Sequence, residues 1–181
     1  MFFKTAFVFD VSQTDVLPGA EPAALEPPHQ PLTGDSHAHL LCALCRFAES
    51  LGYSVSFEVI EGSAGGWCDP KAKRILVDAG VPANAQLRIL IHECAHALGI
   101  GYEQFSRAQA EVMVDTVTLV AASAVGLAVD GETVPYVSGW GEQGALEAVT
   151  EFAETIDRVA RRIEDVLLAA YEETDAALIA A

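Results

Sequence analysis

The pattern of apolar and polar positions in the first half of the chain predicts one helix followed by two strands. Apolar residues recur at intervals of three and four from Ser36 to Leu51, which predicts an amphipathic helix that ends at Gly52. Residues 53–60 alternate apolar with polar side chains, as a half-buried strand does. Residues 73–77 predict a second strand, and the glycine-rich stretch 62–66 predicts a turn between the two. Together the strands predict a small antiparallel sheet.

The same pattern predicts three further helices C-terminal to this sheet. The first begins at Pro82, a residue that suits the first turn of a helix, and it is apolar on most sides, which predicts burial. The second begins at a Ser-x-x-Gln capping box formed by Ser106 and Gln109. The third is a long amphipathic helix over residues 145–170, whose apolar stripe would allow it to pack within the chain or against a second copy. The chain is therefore predicted to have an α+β fold.

Length and composition favour one folded domain. The chain has 181 residues, of which 51% are apolar and 20% are charged, as is typical of a globular protein. Residues 1–34 contain a short strand-like segment and then prolines and glycines with few periodic apolar positions. We therefore predict an extended N-terminal segment and linker over 1–34, and one domain over 35–181.

Several features of the sequence predict a cytoplasmic protein. The four cysteines lack the spacing of a secreted disulfide framework, and no cleavable N-terminal signal is visible. The longest uncharged apolar stretch, residues 116–129, is shorter than a membrane span, which needs about 18 residues or more. We expect no association with a membrane.

The net charge restricts the partners that the protein can bind. It is −16 at pH 7, from 26 acidic and 10 basic side chains. A negative potential repels phosphate backbones, so direct binding of nucleic acid is not expected. The acidity favours solubility, and it also allows an alternative to an enzyme: an acidic module that binds a protein partner or mimics DNA, with a zinc site kept for structure or sensing.

The sequence HECAH at residues 92–96 is a His-Glu-x-x-His motif on a predicted helix. Residues four apart lie one turn apart on the same face, so His92 and His96 can bind one zinc ion. A catalytic zinc site has three protein ligands and one position for water. Glu111 is the predicted third ligand, because it lies in the next helix after a glycine-containing connection that lets the chain reverse. Asp115, one turn further on, is predicted to accept the free ring N–H of a histidine ligand and so to orient it.

Glu93 and a tyrosine are the predicted catalytic residues. Glu93 would take a proton from water as the water attacks a carbonyl, and would deliver it to the leaving amine. No histidine follows His96, so Tyr136 and Tyr102 are the candidate donors to the oxyanion. These roles predict a zinc-dependent metalloendopeptidase that acts on a protein or peptide substrate. A hydrolase of a non-peptide amide remains an alternative, since the same activated water serves both reactions.

The other histidines and cysteines are less suited to binding a metal ion. His37 and His39 lie two apart at a helix start and cannot share one helical face, which favours exposed polar residues. Cys42 and Cys45 form a Cys-x-x-Cys pair without a second pair, which favours small buried core residues. Cys68 lies in the glycine-rich turn, either as an ordinary loop thiol or as a thiolate that masks the zinc in a latent state.

From about residue 36 to residue 140 the chain resembles two cytoplasmic zincin families of bacteria and their mobile elements, the ImmA/IrrE-type metallopeptidases and the ArdC-type antirestriction proteins. The resemblance is carried by Gly65-Gly66-Trp67, Lys73 to Asp78, His92 to Gly99, Glu111, and the segment Val134 to Trp140. It implies a zincin-like fold, with a small antiparallel sheet packed on an active-site helix and further helices C-terminal. It also implies a substrate that is a regulator or a defence factor linked to mobile elements.

The resemblance has three further implications. The strand over residues 73–78 would line the cleft and hold an extended peptide by strand addition. Tyr136 would lie near the metal ion. Residues 8–14 resemble the end of the single-stranded-DNA-binding domain that precedes the peptidase domain in ArdC-type proteins, and only a remnant of that domain would be retained. DNA binding and antirestriction activity are therefore not expected.

Overall fold

The computed structural model describes residues 15–20, 30–129, 131 and 142–179. A 3₁₀ turn at Ala38–Leu40 leads into the first helix. The regular elements of the described residues are α1 Leu41–Ser50, β1 Ser54–Glu58, β2 Gly66–Asp69, β3 Arg74–Asp78, α2 Ala83–Ala97, α3 Arg107–Ala124, α4 Glu142–Glu151 and α5 Ala153–Ile179. This is the predicted α+β fold, with a small sheet packed on α2 and further helices C-terminal to it.

The sheet is mixed, and β3 is its central strand. β1 pairs with β3 in parallel, with Ser54 opposite Arg74, and β2 pairs with β3 antiparallel, with Gly66 opposite Val77. Only one of the two pairings is therefore antiparallel, and the connection between the two predicted strands contains a further strand, β2, directly after the predicted turn. An alternating pattern predicts a strand but not its partner, and a four-residue strand that begins with glycine is too short to show the pattern.

Helix α2 packs between the sheet and α3, and its buried side chains fix its position there. Leu87, Leu90 and Ile91 are fully buried and contact the same core as Ile75 and Val77 of β3. Burying one such side chain contributes about 1.5–3 kcal/mol. The face of α2 that bears the histidines is therefore held in a defined orientation between the sheet and α3.

A glycine brings β2 unusually close to α2. A Cβ atom on Gly66 would lie 2.6 Å from Cγ2 of Ile89 and 2.6 Å from the carbonyl oxygen of Leu76. Only a residue without a side chain fits this space, which gives the glycine a packing role. The backbone of β2 therefore runs directly beside the part of α2 that carries Glu93.

Helix α3 begins at the predicted capping box. The Ser106 hydroxyl accepts a hydrogen bond from the backbone N–H of Gln109, and the Gln109 side chain accepts one from the backbone N–H of Ser106. Its buried face includes Met113, Val114 and Val117. This face packs against α2 and α5, which places the acidic residues of α3 opposite α2.

The C-terminal helical region is two helices and not one. The helix predicted over residues 145–170 is interrupted at Phe152, where the phenyl ring packs edge-on against Phe105, and α5 then continues to Ile179. Its apolar stripe is buried within the chain, at Ile156, Val159, Ile163 and Leu167. None of the helices in the described ranges combines the length and hydropathy that are needed to cross a membrane.

Candidate metal centre

Two histidines and a glutamate from neighbouring helices converge at one point. His92 and His96 project from one face of α2, with ring centroids 5.1 Å apart. Glu111 faces them from α3, and its Oε2 lies 3.6 Å from Nε2 of His92. One ligand atom from each of the three residues lies within 4.8 Å of the others. The packing of α3 against α2 therefore brings together the three residues that were predicted as ligands.

The separation of these atoms fits a small divalent ion. Tetrahedral coordination with bonds of about 2.0–2.2 Å places neighbouring ligand atoms roughly 3.3–3.5 Å apart. The 3.6 Å between the His92 nitrogen and the Glu111 oxygen is close to that separation. Two imidazoles and one carboxylate are also a ligand set that zinc takes in catalytic sites. The group could therefore hold a metal ion.

Both histidines are oriented by a hydrogen bond at Nδ1. Nδ1 of His96 lies 2.6 Å from the carbonyl oxygen of Ile100, and Nδ1 of His92 lies 3.1 Å from Oδ1 of Asp115. A carbonyl oxygen can only accept, so Nδ1 of His96 carries the proton and Nε2 keeps its lone pair. The carboxylate of Asp115 favours the same tautomer in His92. Both Nε2 atoms are thus available to a metal ion, which is the arrangement expected of histidine ligands.

Three carboxylates are buried around the two imidazoles. Glu93, Glu111 and Asp115 are 6%, 7% and 1% exposed. Within the described ranges, Oδ2 of Asp115 is buried without a hydrogen-bond partner. Burial by itself lowers the pKa of His92, but the hydrogen bond to Asp115 and the nearby carboxylates outweigh it and raise that pKa. A cation stabilises buried carboxylates, and either a protonated His92 or a divalent ion at the ligand group would supply that charge.

Glu93 has the environment of a carboxylate that can exchange protons near neutral pH. Burial raises its pKa, the neighbouring Glu111 raises it further, and His92 and Arg88 oppose the shift, so that the pKa is about 7. Its Oε1 is directed towards β2, where it lies 3.4 Å from the position of a Cβ atom on Gly66. Such perturbed carboxylates are typical of general bases.

Of the two tyrosines predicted as donors to the oxyanion, the structure describes only Tyr102. Tyr136 lies outside the described residues, and its role stays a prediction. The hydroxyl of Tyr102 donates a hydrogen bond to Oε1 of Glu111, and its ring centroid lies 5.5 Å from that of His96. Burial and the bond to Glu111 raise the pKa of Tyr102, so the hydroxyl keeps its proton at neutral pH. Tyr102 therefore places a hydrogen-bond donor beside the ligand group.

An open cleft of about 920 Å³ gives access to the group. One face of α2 forms its floor, residues 63–68 form one wall, and Tyr102 and Arg107 lie on the other side. The strand at 73–78 was predicted to receive an extended peptide, and that prediction is wrong because β3 is paired on both sides. The edge strand that lines the cleft is β2.

Two parts of this site were not predicted. The carbonyl of Ile100 reaches His96 because α2 ends in a Schellman turn, with Gly99 at a φ of 107° and the N–H groups of residues 99 and 100 bonded back to the helix. The sequence indicated that the helix ends at Gly99, but it did not indicate that the Ile100 carbonyl contacts His96. Arg88 also lines the cleft, and its position four residues before His92 was the available signal.

The histidines outside the motif lie away from this group. His37 is half-buried: its Nε2 lies 3.0 Å from the carbonyl oxygen of Val125, and its backbone N–H donates to the side chain of Asn84. It ties the start of α1 to α2 and to the end of α3, so the prediction of a merely exposed polar residue is wrong for His37. His39 is exposed, as predicted, with its ring beside Tyr171.

The four cysteines are free thiols. Cys45 is half-buried against the core, but Cys42 is exposed and accepts a hydrogen bond from Arg46, so the predicted burial holds for only one of the pair. Burial and the nearby Glu93 raise the pKa of Cys68 to about 12, and this residue does not join the ligand group. The alternative of a Cys68 thiolate that masks the metal ion stays a prediction.

The chain matches no known protein family, no curated protein and no solved structure. The resemblance to ImmA/IrrE-type and ArdC-type proteins therefore has no support beyond the motifs themselves. What the structure shows is an α+β protein with a group, His92, His96 and Glu111, that could hold a metal ion.

Proposed function

We propose that this protein is a zinc-dependent metallopeptidase in which His92, His96 and Glu111 hold the ion. One observation carries the proposal: a buried glutamate, Glu93, lies beside a three-ligand group that opens into a cleft. Structural zinc sites are closed by four protein ligands, whereas catalytic sites keep one position for water. Within the described ranges, the group contains three such residues, which favours a catalytic site.

The residues around the group have complementary roles in peptide hydrolysis. When bound, zinc supplies Lewis-acid chemistry, since it acidifies water and polarises a carbonyl group. Glu93 accepts a proton from the attacking water and returns it to the leaving amine, and a pKa of about 7 suits both steps. Asp115 keeps Nδ1 of His92 protonated and its ring in place.

We assign the stabilisation of the oxyanion to Tyr102. Its hydroxyl already lies at the ligand group, and 55% of the residue is exposed at the cleft, so the side chain has room to turn from Glu111 towards a substrate. A protonated hydroxyl can donate to the carbonyl oxygen as negative charge develops on it. Tyr136 remains a second candidate on sequence grounds alone.

The proposed substrate is an extended segment of a protein, bound along β2. In the part of the chain that the structure describes, no strand pairs with the outer edge of β2. Alternate residues of an edge strand direct their N–H and C=O groups outwards, where a peptide can add as a further strand. The motif resemblance favours a regulator or a defence factor as the substrate, and the net charge of −16 argues against nucleic acid.

The proposal is tested by metal content and peptide cleavage measured on the same preparations. The wild-type protein, Glu111→Ala, Glu93→Gln and the surface control Glu103→Ala are purified and checked for folding by circular dichroism. We expect about one zinc per chain in the wild type and in Glu93→Gln, and loss of zinc in Glu111→Ala. Cleavage of a peptide library should be lost in both site variants and kept in Glu103→Ala.

The outcomes separate the metal site from the reaction. A folded wild-type protein that takes up no zinc from solution would exclude the site itself. Zinc binding without cleavage of any library peptide would leave a metal-binding protein that is not a peptidase. Equal cleavage by the wild type and Glu93→Gln would show that Glu93 is not the general base.

A further inference from the structure

Arg88 lies in the cleft on the same face of α2 as the histidines. It is four residues before His92, a distance of about 6 Å along the helix axis. The residue is half-buried, with its Nε below the surface, and its cleft neighbours Val81, Ala85 and Ile89 are apolar. A guanidinium in such surroundings is less screened by water than one on the surface, so its attraction for an anion is stronger.

Two of the few basic residues of the chain line the cleft, beside the carboxylates of Glu93, Glu111 and Asp115. The chain has only 10 basic residues against 26 acidic ones, yet Arg88 and Arg107 both line this cleft. Arg107 lies near the His96 end, with its guanidinium 5.9 Å from the ring centroid of Tyr102, whereas Arg88 lies beyond His92. The two arginines therefore lie on either side of the ligand group, Arg88 near His92 and Arg107 near Tyr102.

We propose that Arg88 makes this cleft selective for acidic peptides, by binding the carboxylate of an aspartate or glutamate that lies close to the bond to be cut. A guanidinium binds a carboxylate through two parallel hydrogen bonds, which favours it over an amide of the same shape. The inference names the substrate class of the proposed peptidase and so rests on that function.

A different role for Arg88 makes a different prediction. Arg88 is close enough to Glu93 to lower the pKa of that carboxylate, and it could act only as the counter-charge of the general base. In that case its replacement would slow the cleavage of acidic and neutral peptides alike. If Arg88 instead selects acidic peptides, its replacement would slow the cleavage of acidic peptides more than that of neutral ones.

The affinity of the cleft for peptides tests the inference without requiring that the protein cleave them. The probes are pairs of peptide mixtures that carry glutamate or glutamine at one fixed position, with each position tested in turn. Their affinities are measured by competition for the zinc-loaded Glu93→Gln protein. The measurement is repeated after adding Arg88→Met, Arg88→Lys or the surface control Arg46→Met to that protein. At one position we expect glutamate to bind at least about tenfold more tightly than glutamine. Arg88→Met should abolish this ratio, Arg88→Lys should keep part of it, and Arg46→Met should leave it unchanged. Equal affinities in the starting protein, or a ratio that survives Arg88→Met, would overturn the inference.

Cleavage supplies the second readout. A proteome-derived peptide library digested by the wild-type protein should show aspartate or glutamate enriched at one fixed position from the cut. Arg88→Met should lose that enrichment while it still cleaves peptides that are neutral there, and uniformly slower cleavage would overturn the inference in favour of the counter-charge role. If the wild type cleaves nothing, the proposed peptidase fails, and the binding ratio alone decides whether the cleft selects acidic peptides.

Discussion

At the scale of single residues, each of the three candidate metal ligands is oriented by a hydrogen bond to another residue. Asp115 and the Ile100 carbonyl each fix one imidazole, and Tyr102 holds one oxygen of Glu111. These contacts leave both Nε2 atoms and one carboxylate oxygen directed at a common point. The ligand group is therefore arranged before a metal ion binds, which lowers the cost of ordering the ligands.

Replacing Asp115 should weaken zinc binding without removing a ligand. Asp115→Asn keeps the shape of the side chain but loses the charge that favours the proton on Nδ1 of His92. We expect zinc affinity to fall about 10- to 100-fold, as measured by competition with a chromophoric chelator. Asp157→Asn, on the surface of α5, is the matched control. An unchanged dissociation constant would show that Asp115 does not support the ligand.

Removing the Tyr102 hydroxyl should slow catalysis more than it weakens metal binding. If the hydroxyl stabilises the oxyanion, Tyr102→Phe should lower kcat about 100-fold with little change in zinc content. If the hydroxyl only holds Glu111, zinc affinity should fall and kcat at saturating zinc should be kept. Steady-state kinetics at several zinc concentrations distinguish these results, with Tyr171→Phe as the control.

At the scale of elements, the contact between β2 and α2 sets the shape of the cleft. β2 is the edge strand, and Gly66 lets its backbone approach Ile89 of α2 closely. The cleft wall and its floor are thus packed directly on each other, beside Glu93. A change in this contact should alter both the stability of the protein and the binding of an extended peptide.

Gly66→Ala tests this contact. The added methyl group would lie 2.6 Å from Ile89 and from the Leu76 carbonyl, so β2 must shift. We expect a loss of about 1–3 kcal/mol in the free energy of unfolding, measured by urea denaturation. The control is Gly101→Ala, where a Cβ atom would meet nothing within 4 Å. Equal stability of the two variants would mean that β2 can move without cost.

At the scale of the whole molecule, the fold concentrates buried acid in a chain that is already strongly acidic. Three buried carboxylates, from α2 and α3, lie around the two imidazoles in a protein whose net charge is −16. A divalent cation at the ligand group would offset the negative charge of these carboxylates in the folded state. Metal binding and folding should therefore be strongly coupled.

Zinc should stabilise the wild-type protein against heat. At a free concentration of about 1,000 times the dissociation constant, a ligand that binds only the folded state adds about 4 kcal/mol to the free energy of unfolding. We expect a higher Tm with zinc than with magnesium, since magnesium prefers oxygen ligands. Glu111→Ala should lose most of the zinc-dependent shift. The same shift in both proteins would place the stabilising ion elsewhere.

The sequence by itself determined the features that depend on local spacing. The His-Glu-x-x-His pattern places two imidazoles on one helical face, the capping box begins α3, and four residues separate Glu111 from Asp115 along that helix. Each is a consequence of helical periodicity, which holds wherever the helix is placed. The α+β class follows from the same patterns.

Only the tertiary structure decided which distant segments meet. The parallel pairing of β1 with β3, the position of β2 at the sheet edge, and the approach of Tyr102 to Glu111 join segments whose relative placement no local pattern specifies. The same is true of Arg88, which is a cleft residue because β2 and α3 leave that face of α2 open. Such contacts arise from the packing of whole elements, and packing depends on the summed burial of many side chains far apart in the chain.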